Sequence, residues 1–265
     1  MLKRILALLN AIVMSGLLCA SNVLSVDRSH LVAYWSFDKG TGQTVSDDSG
    51  NGYEGKIMDA SWAKEGKNGS GMSFDGIGAF VDVPSAPGLD PQADNWTIEL
   101  WLKRADLAGG WQKILTKYEG SWNGYRIGFL DSSVHTIFGT GPAPNSIEFS
   151  TSAKIQDMDW HHLAAVYDRN GDAVIYIDGK PDATTMSIKK IAPVNTGKNV
   201  EIGRCWWCDG GKTMGFHGIL DEIKIWRAAL TEDEVKLAMS GKLLGAAVSP
   251  SGKLATDWGS LKNSR

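Results

Sequence analysis

One carboxylate stands out among the residues able to do chemistry. In Gly218-Ile219-Leu220-Asp221-Glu222-Ile223-Lys224-Ile225-Trp226, the two-residue period of a strand sets Asp221 beside Ile219, Ile223 and Ile225, with Leu220, Glu222, Lys224 and Trp226 opposite. A carboxylate on an apolar side must be paired, hydrogen-bonded, protonated or bound to a cation, because an isolated buried charge is far too costly. A second reactive group is Cys205-Trp206-Trp207-Cys208. Redox Cys-x-x-Cys pairs lower a thiol pKa at a helix N-terminus, whereas this one follows a strand and precedes Asp209-Gly210-Gly211. A disulfide between Cys205 and Cys208 that staples the loop is the stronger expectation, and export would favour it. A structural zinc site would need two further ligands, and only His217 is near in sequence.

The same loop offers a binding surface. Trp206 and Trp207, held between two cysteines and flanked by glycines, are hard to bury together. Exposed indoles suit stacking on the apolar faces of sugars or anchoring a protein partner. Trp111 and Trp122, each in a glycine-rich neighbourhood, are second candidates. Of 11 tryptophans, Trp35, Trp101, Trp160 and Trp226 fit strand positions and are expected to be structural.

Catalysis has thinner support. Glycoside hydrolysis by the usual route needs two carboxylates about 5 to 10 Å apart across the sugar. Glu99, Glu148 and Glu201 are single acids on separate strands, and Asp221 and Glu222 point to opposite faces. Asp157 and Asp159 precede Trp160 in a turn, where acids are solvated. His161 and His162, adjacent on a strand, face opposite ways and cannot share one metal ion.

The elements that position these residues are almost all strands. Ten alternating or apolar runs occur, at 31–37, 80–83, 97–103, 113–118, 125–130, 147–150, 160–167, 174–177, 200–204 and 218–226, separated by Asn-Gly and Asp-Gly turns such as Asp75-Gly76 and Asp178-Gly179. The spacing predicts one helix, opening at Thr231 with Glu234 three residues on as a capping box and closing at Gly241. Lys3 and Arg4, an apolar run from Ile5 to Leu18 and small residues after it form a secretory signal peptide over residues 1–25, too short for a membrane span. A lipid anchor on Cys19 is the alternative, with Leu18 where a small residue is wanted. The expected domain covers 27–241, and 242–265 is an extension with Leu254, Trp258 and Leu261 as docking points. A formal net charge of -3 gives no footing to nucleic-acid binding, which needs basic patches.

A resemblance adds to this reading. Trp35-Ser36-Phe37-Asp38, Asp48-Ser49-Gly50-Asn51-Gly52, Gly66-Lys67-Asn68-Gly69, Phe74-Asp75-Gly76, Ile98-Glu99-Leu100-Trp101, Trp160-His161-His162-Leu163-Ala164, Tyr176-Ile177-Asp178-Gly179 and the 218–226 segment resemble, in order, the signatures of laminin-G-like domains of the concanavalin A-like lectin and glucanase superfamily. The resemblance implies an all-β sandwich of two antiparallel sheets, a jelly roll with one short C-terminal helix, in which the first and last strands lie together. It also implies a calcium ion at the sandwich edge, held by Asp38, Asp48, Asn51 and Asp221 with a backbone carbonyl near Asn51 or Gly52. Calcium takes six to eight oxygen ligands of these kinds. The alternative is that Asp38 and Asp48 cap turns and Asp221 accepts backbone hydrogen bonds. Glucanase relatives carry Glu-x-Asp-x-x-Glu on one strand face, and no such string occurs here. The implied protein is an exported, non-catalytic binding module whose partner is a glycan, a glycosylated surface or an extracellular protein. A glycoside hydrolase with an unfamiliar acid pair is a third reading.

Overall fold

The computed structural model describes residues 27–210 and 213–241. The signal peptide, Cys19 and the 242–265 extension expected from the sequence lie outside the described residues. Sixteen strands follow in order: β1 (Leu31–Trp35), β2 (Thr44–Val45), β3 (Gly55–Met58), β4 (Ser61–Ala63), β5 (Gly71–Asp75), β6 (Phe80–Val83), β7 (Trp96–Arg104), β8 (Trp111–Tyr118), β9 (Asn123–Leu130), β10 (Ser133–Thr140), β11 (Ser146–Lys154), β12 (Trp160–Tyr167), β13 (Asp172–Ile177), β14 (Lys180–Ser187), β15 (Val200–Ile202) and β16 (His217–Trp226). A helical turn, α1 (Trp206–Asp209), precedes β16, and α2 (Glu232–Met239) follows it.

The strands form two eight-stranded sheets. The first runs β14-β13-β12-β7-β16-β5-β4, with β1 also paired to β16; the second runs β11-β10-β9-β8-β15-β6-β3-β2. The first and last strands therefore lie together, with Trp35 opposite Ile223 and Tyr34 opposite Lys224. Between the sheets packs one continuous core, including Trp35, Leu100, Leu102, Ile127, Phe129, Phe138, Leu220, Ile223 and Ile225. Removing this apolar surface from water is the main force closing the sandwich. Trp96 and Trp226 are likewise fully buried, while Trp101 and Trp160 are half-buried.

Strict alternation fails along β16. Asp221 lies opposite Trp101 and Lys224 opposite Glu99, so between these pairs two residues of β16, Glu222 and Ile223, stand against one of β7, Leu100. One residue is extra. The bulge centres on Glu222, whose φ is +54°, and it inverts the sides of everything beyond it. Leu220, Ile223 and Ile225 face the main core, while Asp221 shares the outer side with Lys224 and Trp226. The expected grouping of Asp221 with Ile223 and Ile225 is thereby corrected, because a period of two does not survive an inserted residue.

The outer side of the first sheet is not bare. Val235 and Ala238 of α2 cover Trp226, Ala164, Val166 and Leu31 in a second, smaller core. The helix begins as its sequence requires, with Thr231 and Glu234 exchanging capping bonds. Beneath it Glu99, fully buried, accepts from Trp226 Nε1 at 3.1 Å and lies 3.3 Å from His162 Nε2 and 3.8 Å from Lys224 Nζ. The Lys224 charge and the His162 hydrogen bond outweigh burial and hold the Glu99 carboxyl below its ordinary value. His162 is thus a structural residue. His161 turns the other way, to Asp157 and Asp178, each at 2.8 Å.

Candidate functional site

Two places gather the residues that the sequence singled out. The first is the seam where β1 meets β16. Asp221, fully buried, accepts the Asn68 N–H at 2.9 Å and, at its other oxygen, the Glu222 N–H at 2.9 Å that the bulge frees from the ladder. Burial pushes the Asp221 carboxyl up to about 7, and the Glu222 charge adds to it, against the pull of these amides.

The Asn68 amide comes from the loop Gly66-Lys67-Asn68-Gly69-Ser70, which also serves Asp38: the Ser70 N–H donates to it at 3.3 Å. Two glycines make this approach possible. A Cβ on Gly66 would sit 2.7 Å from Asp221 Oδ2, and one on Gly69, at φ +55°, would sit 2.0 Å from Asp38 Oδ1. The loop, not a single side chain, joins the last strand to the Asp38 region.

The other expected calcium ligands are placed unequally. Asp48 accepts from Ser36 Oγ at 2.5 Å and lines a small cleft with Asp38 and Trp62. Asn51 donates both its amide hydrogens to β1, to Leu31 O at 3.0 Å and Val32 O at 2.9 Å. Its neighbour Gly52 follows at φ +84° with open space around its Cα. Asp47, which the sequence reading passed over, caps the same loop, accepting from the N–H groups of Tyr34, Ser49 and Tyr53.

As a donor set the seam suits a hard cation in its chemistry. Asp38 feels the charges of Glu222 and Asp48, which with burial raise its pKa, and neither Asp38, Asp48 nor Asp221 makes an ion pair with a lysine or arginine among the described residues. Their arrangement is looser than a closed site. Among the described residues no three His, Cys, Asp or Glu side chains lie close enough to hold a metal ion together.

The second place is the outer face of the other sheet. Cys205 and Cys208 are joined by a disulfide. The Cys-x-x-Cys lies on a helical turn and not in the irregular loop expected, with Cys205 at its N-cap and Gly210, at φ +75°, closing it. Trp206 and Trp207 ride on that turn, each 49% exposed. Glu201 of β15 anchors it, accepting from Trp206 N–H at 2.7 Å and from Arg204 Nε at 2.9 Å. Arg204 stacks on Phe80 and approaches Trp206, and Lys198 Nζ lies 4.4 Å from the Trp207 ring.

From the disulfide the face continues across β8, β9, β10 and β11. Cys205 packs with Tyr118 and Ile137. Arg126 Nη1 reaches Cys208 Sγ at 3.2 Å, and its guanidinium lies over the rings of Tyr118 and Trp111. Trp111 meets His135 edge to face, with centroids 4.7 Å apart. Glu148 receives Trp122 Nε1 at 2.6 Å and His135 Nε2 at 3.1 Å. Trp122, 39% exposed at φ +60°, forms the β8–β9 turn, its N–H donating to the Tyr118 hydroxyl at 2.9 Å.

All four candidate tryptophans therefore fall on one face, linked by polar contacts that the sequence reading did not identify. Lys113, Arg126, His135 and Glu148 sit at outward positions of four successive strands, a polar ladder between apolar inward residues. As for hydrolysis, Glu148 and Glu201 both reach this face, and each is already bonded to a base and to a tryptophan N–H. Among the described residues no helix is long and apolar enough to cross a membrane.

The comparisons with known proteins place this two-sheet jelly roll in a family. The chain belongs to the concanavalin A-like lectin/glucanases superfamily, whose laminin G family model matches residues 75–236. No curated protein matches it by sequence. Among solved structures it is similar to the binding domain of Paraclostridial Mosquitocidal Protein 1, at 15% identity and a TM-score of 0.65, over 81% of this chain and 52% of that one. It is similar to domain 4 of AbnA, an extracellular GH43 arabinanase from Geobacillus stearothermophilus solved with arabinotriose, at 23% identity and a TM-score of 0.58, over 78% of this chain and 97% of that one. The binding domain of botulinum neurotoxin DC, solved with rat synaptotagmin II, aligns at 13% identity and a TM-score of 0.62, over 81% and 52%. The chain thus spans about half the length of the toxin binding domains it matches.

Proposed function

We propose that the protein is an extracellular glycan-binding module that works through the outer face of the β8–β11 and β15 sheet. The observation that carries the reading is the convergence of Trp111, Trp122, Trp206 and Trp207 on that face, three of them at 39% to 49% exposure. Exposed indoles beside fixed polar groups match the two-sided chemistry of a sugar, apolar on its ring face and hydroxylated at its edges. The disulfide holds two of the four in place, which reduces the ordering cost of binding. The disulfide and the extracellular settings of the arabinanase domain support an exported protein, and that domain's complex with arabinotriose supports a sugar ligand on this fold. Fold alone does not assign function.

Calcium belongs to the reading as a structural ion at the seam. Asp38, Asp48 and Asp221 would supply carboxylate oxygens, with a carbonyl near Asn51 or Gly52; the Asn51 side chain is already engaged with β1. The ion would offset the burial and the neighbouring negative charge that now raise the pKa of Asp38 and Asp221.

The test is a glycan panel read with wild type and a Trp206→Ala, Trp207→Ala double variant. Both rings are half exposed, so the double variant should keep its melting temperature while binding weakens by about thirtyfold, the effect of losing one hot spot of about 2 kcal/mol. Binding indifferent to the double change would remove the loop as the site. A second reading, attachment to a protein, rests on the same exposed pair of indoles and would show as an empty glycan panel.

A further inference from the structure

The aromatic face holds two cations without adequate counter-ions. Lys113 is 2% exposed, its Nζ lies 3.7 Å from the centroid of the Trp111 ring, and it makes no hydrogen bond or ion pair among the described residues. Arg126 shares that enclosure, 5.6 Å from the same ring. Its Nη2 reaches Glu148 only at 3.5 Å, its Nη1 meets a disulfide sulfur, a weak acceptor, and its Nε is buried with no hydrogen-bond partner among the described residues. Glu148 is itself divided between His135 and Trp122. A buried donor left unpaired costs roughly 1 to 3 kcal/mol, and in a native fold such a group asks what pairs with it.

The electrostatics agree with this geometry. Burial, then the charge of Arg126, brings the Lys113 ammonium down to about 7, although Glu148 and Asp209 act in the opposite sense. Burial and the charges of Arg126 and Lys113 likewise take His135 down to about 4, leaving it neutral near pH 7. A compact oxyanion would relieve both strains. A guanidinium fork matches the plane of a carboxylate and the oxygens of a sulfate, and the lysine adds a point charge from the side.

We propose that this face selects acidic glycans, with Lys113 and Arg126 receiving the carboxylate of a uronate or the sulfate ester of a sugar that lies against Trp111. The proposal rests on the glycan-binding reading above and narrows its substrate class. The chain as a whole carries a formal net charge of -3, so bulk attraction would not produce such a preference.

The experiment compares oligogalacturonate, an equally long neutral arabino-oligosaccharide and a sulfated galactan oligosaccharide by titration calorimetry. Wild type should bind one of the two acidic probes about tenfold more tightly than the neutral one, or about 1.4 kcal/mol, and that advantage should shrink as sodium chloride rises from about 50 to about 500 mM. The sulfated and uronate arms identify which oxyanion is preferred. Arg126→Gln and Lys113→Gln should each bring the acidic-to-neutral ratio towards one, and Arg126→Lys should retain more of it than Arg126→Gln. A wild-type ratio near one overturns the selectivity while leaving glycan binding standing, and a ratio that folded variants keep overturns the role of these two residues. If no probe binds, the glycan reading falls and the selectivity with it. Should both charge-removing variants fail to fold, the wild-type ratio and its salt dependence decide.

Discussion

The seam and the aromatic face are built from similar materials and end in opposite conditions. At the seam, carboxylates find backbone amides: buried Asp221 takes those of Asn68 and Glu222, exposed Asp38 that of Ser70, and buried Asp47 three more. On the aromatic face, Arg126 and Lys113 meet rings, a sulfur and one overshared carboxylate. The seam's carboxylates are satisfied by the chain's own amides. Groups left partly unpaired beside exposed indoles are those a ligand can still satisfy, and the difference separates structure from binding here.

Altering the seam should therefore damage stability and spare recognition. Asp221→Ala leaves the buried Glu222 N–H and the partly buried Asn68 N–H without this acceptor, and chemical denaturation should record a loss of about 3 kcal/mol, with glycan affinity per folded molecule unchanged. An affinity that fell with the stability would erase the distinction between the regions. Calcium sharpens it further. Added calcium should raise the melting temperature by about 5 °C and a chelator should reverse this, an effect that Asp221→Asn should reduce. A melting temperature blind to both additions would leave the seam held by amides alone.

The smallest effect lies away from both regions, at the β12–β13 end, and serves as a control. Burial opposes charge on His161, but its hydrogen bonds to Asp157 and Asp178 more than offset this and raise its pKa. A raised histidine contributes stability that is full below its unfolded value near 6.5 and is lost as pH climbs through the folded value. His161→Gln should thus cost about 1 kcal/mol at pH 5.5 and less at pH 8, by thermal melting at the two pH values.

Much of the sandwich was legible because its long strands carry their burial in their alternation. The ten runs match β1, β6, β7, β8, β9, β11, β12, β13, β15 and β16, and the capping box of α2 stands as written. Of the six strands not anticipated, β2 and β4 are short and β14 is polar and exposed at a sheet edge, so none of these leaves a periodic signal; β10 is long and buried, but Thr136 and Ile137 break its polar and apolar alternation. The bulge at Glu222 was invisible because a non-glycine residue at positive φ announces nothing in sequence. It moved Asp221 to the outer side, yet the need for a partner held, and the Gly66 to Gly69 motif that supplies it was among the quoted signatures. The four tryptophans were legible one by one. Their convergence, and the polar ladder of Lys113, Arg126, His135 and Glu148, were not, since pairing across β8 to β11 depends on register that single strands do not encode.

The claim that recognition belongs to the aromatic face is tested most directly by following the indole and backbone N–H signals in a nuclear magnetic resonance titration with oligogalacturonate and the neutral arabino-oligosaccharide. The account predicts that the signals of Trp111, Trp122, Trp206 and Trp207 shift as sugar is added, while those of the fully buried Trp35, Trp96 and Trp226 stay in place. Shifts confined to the 66–70 loop and its carboxylate partners, with all four indoles unmoved, would contradict it.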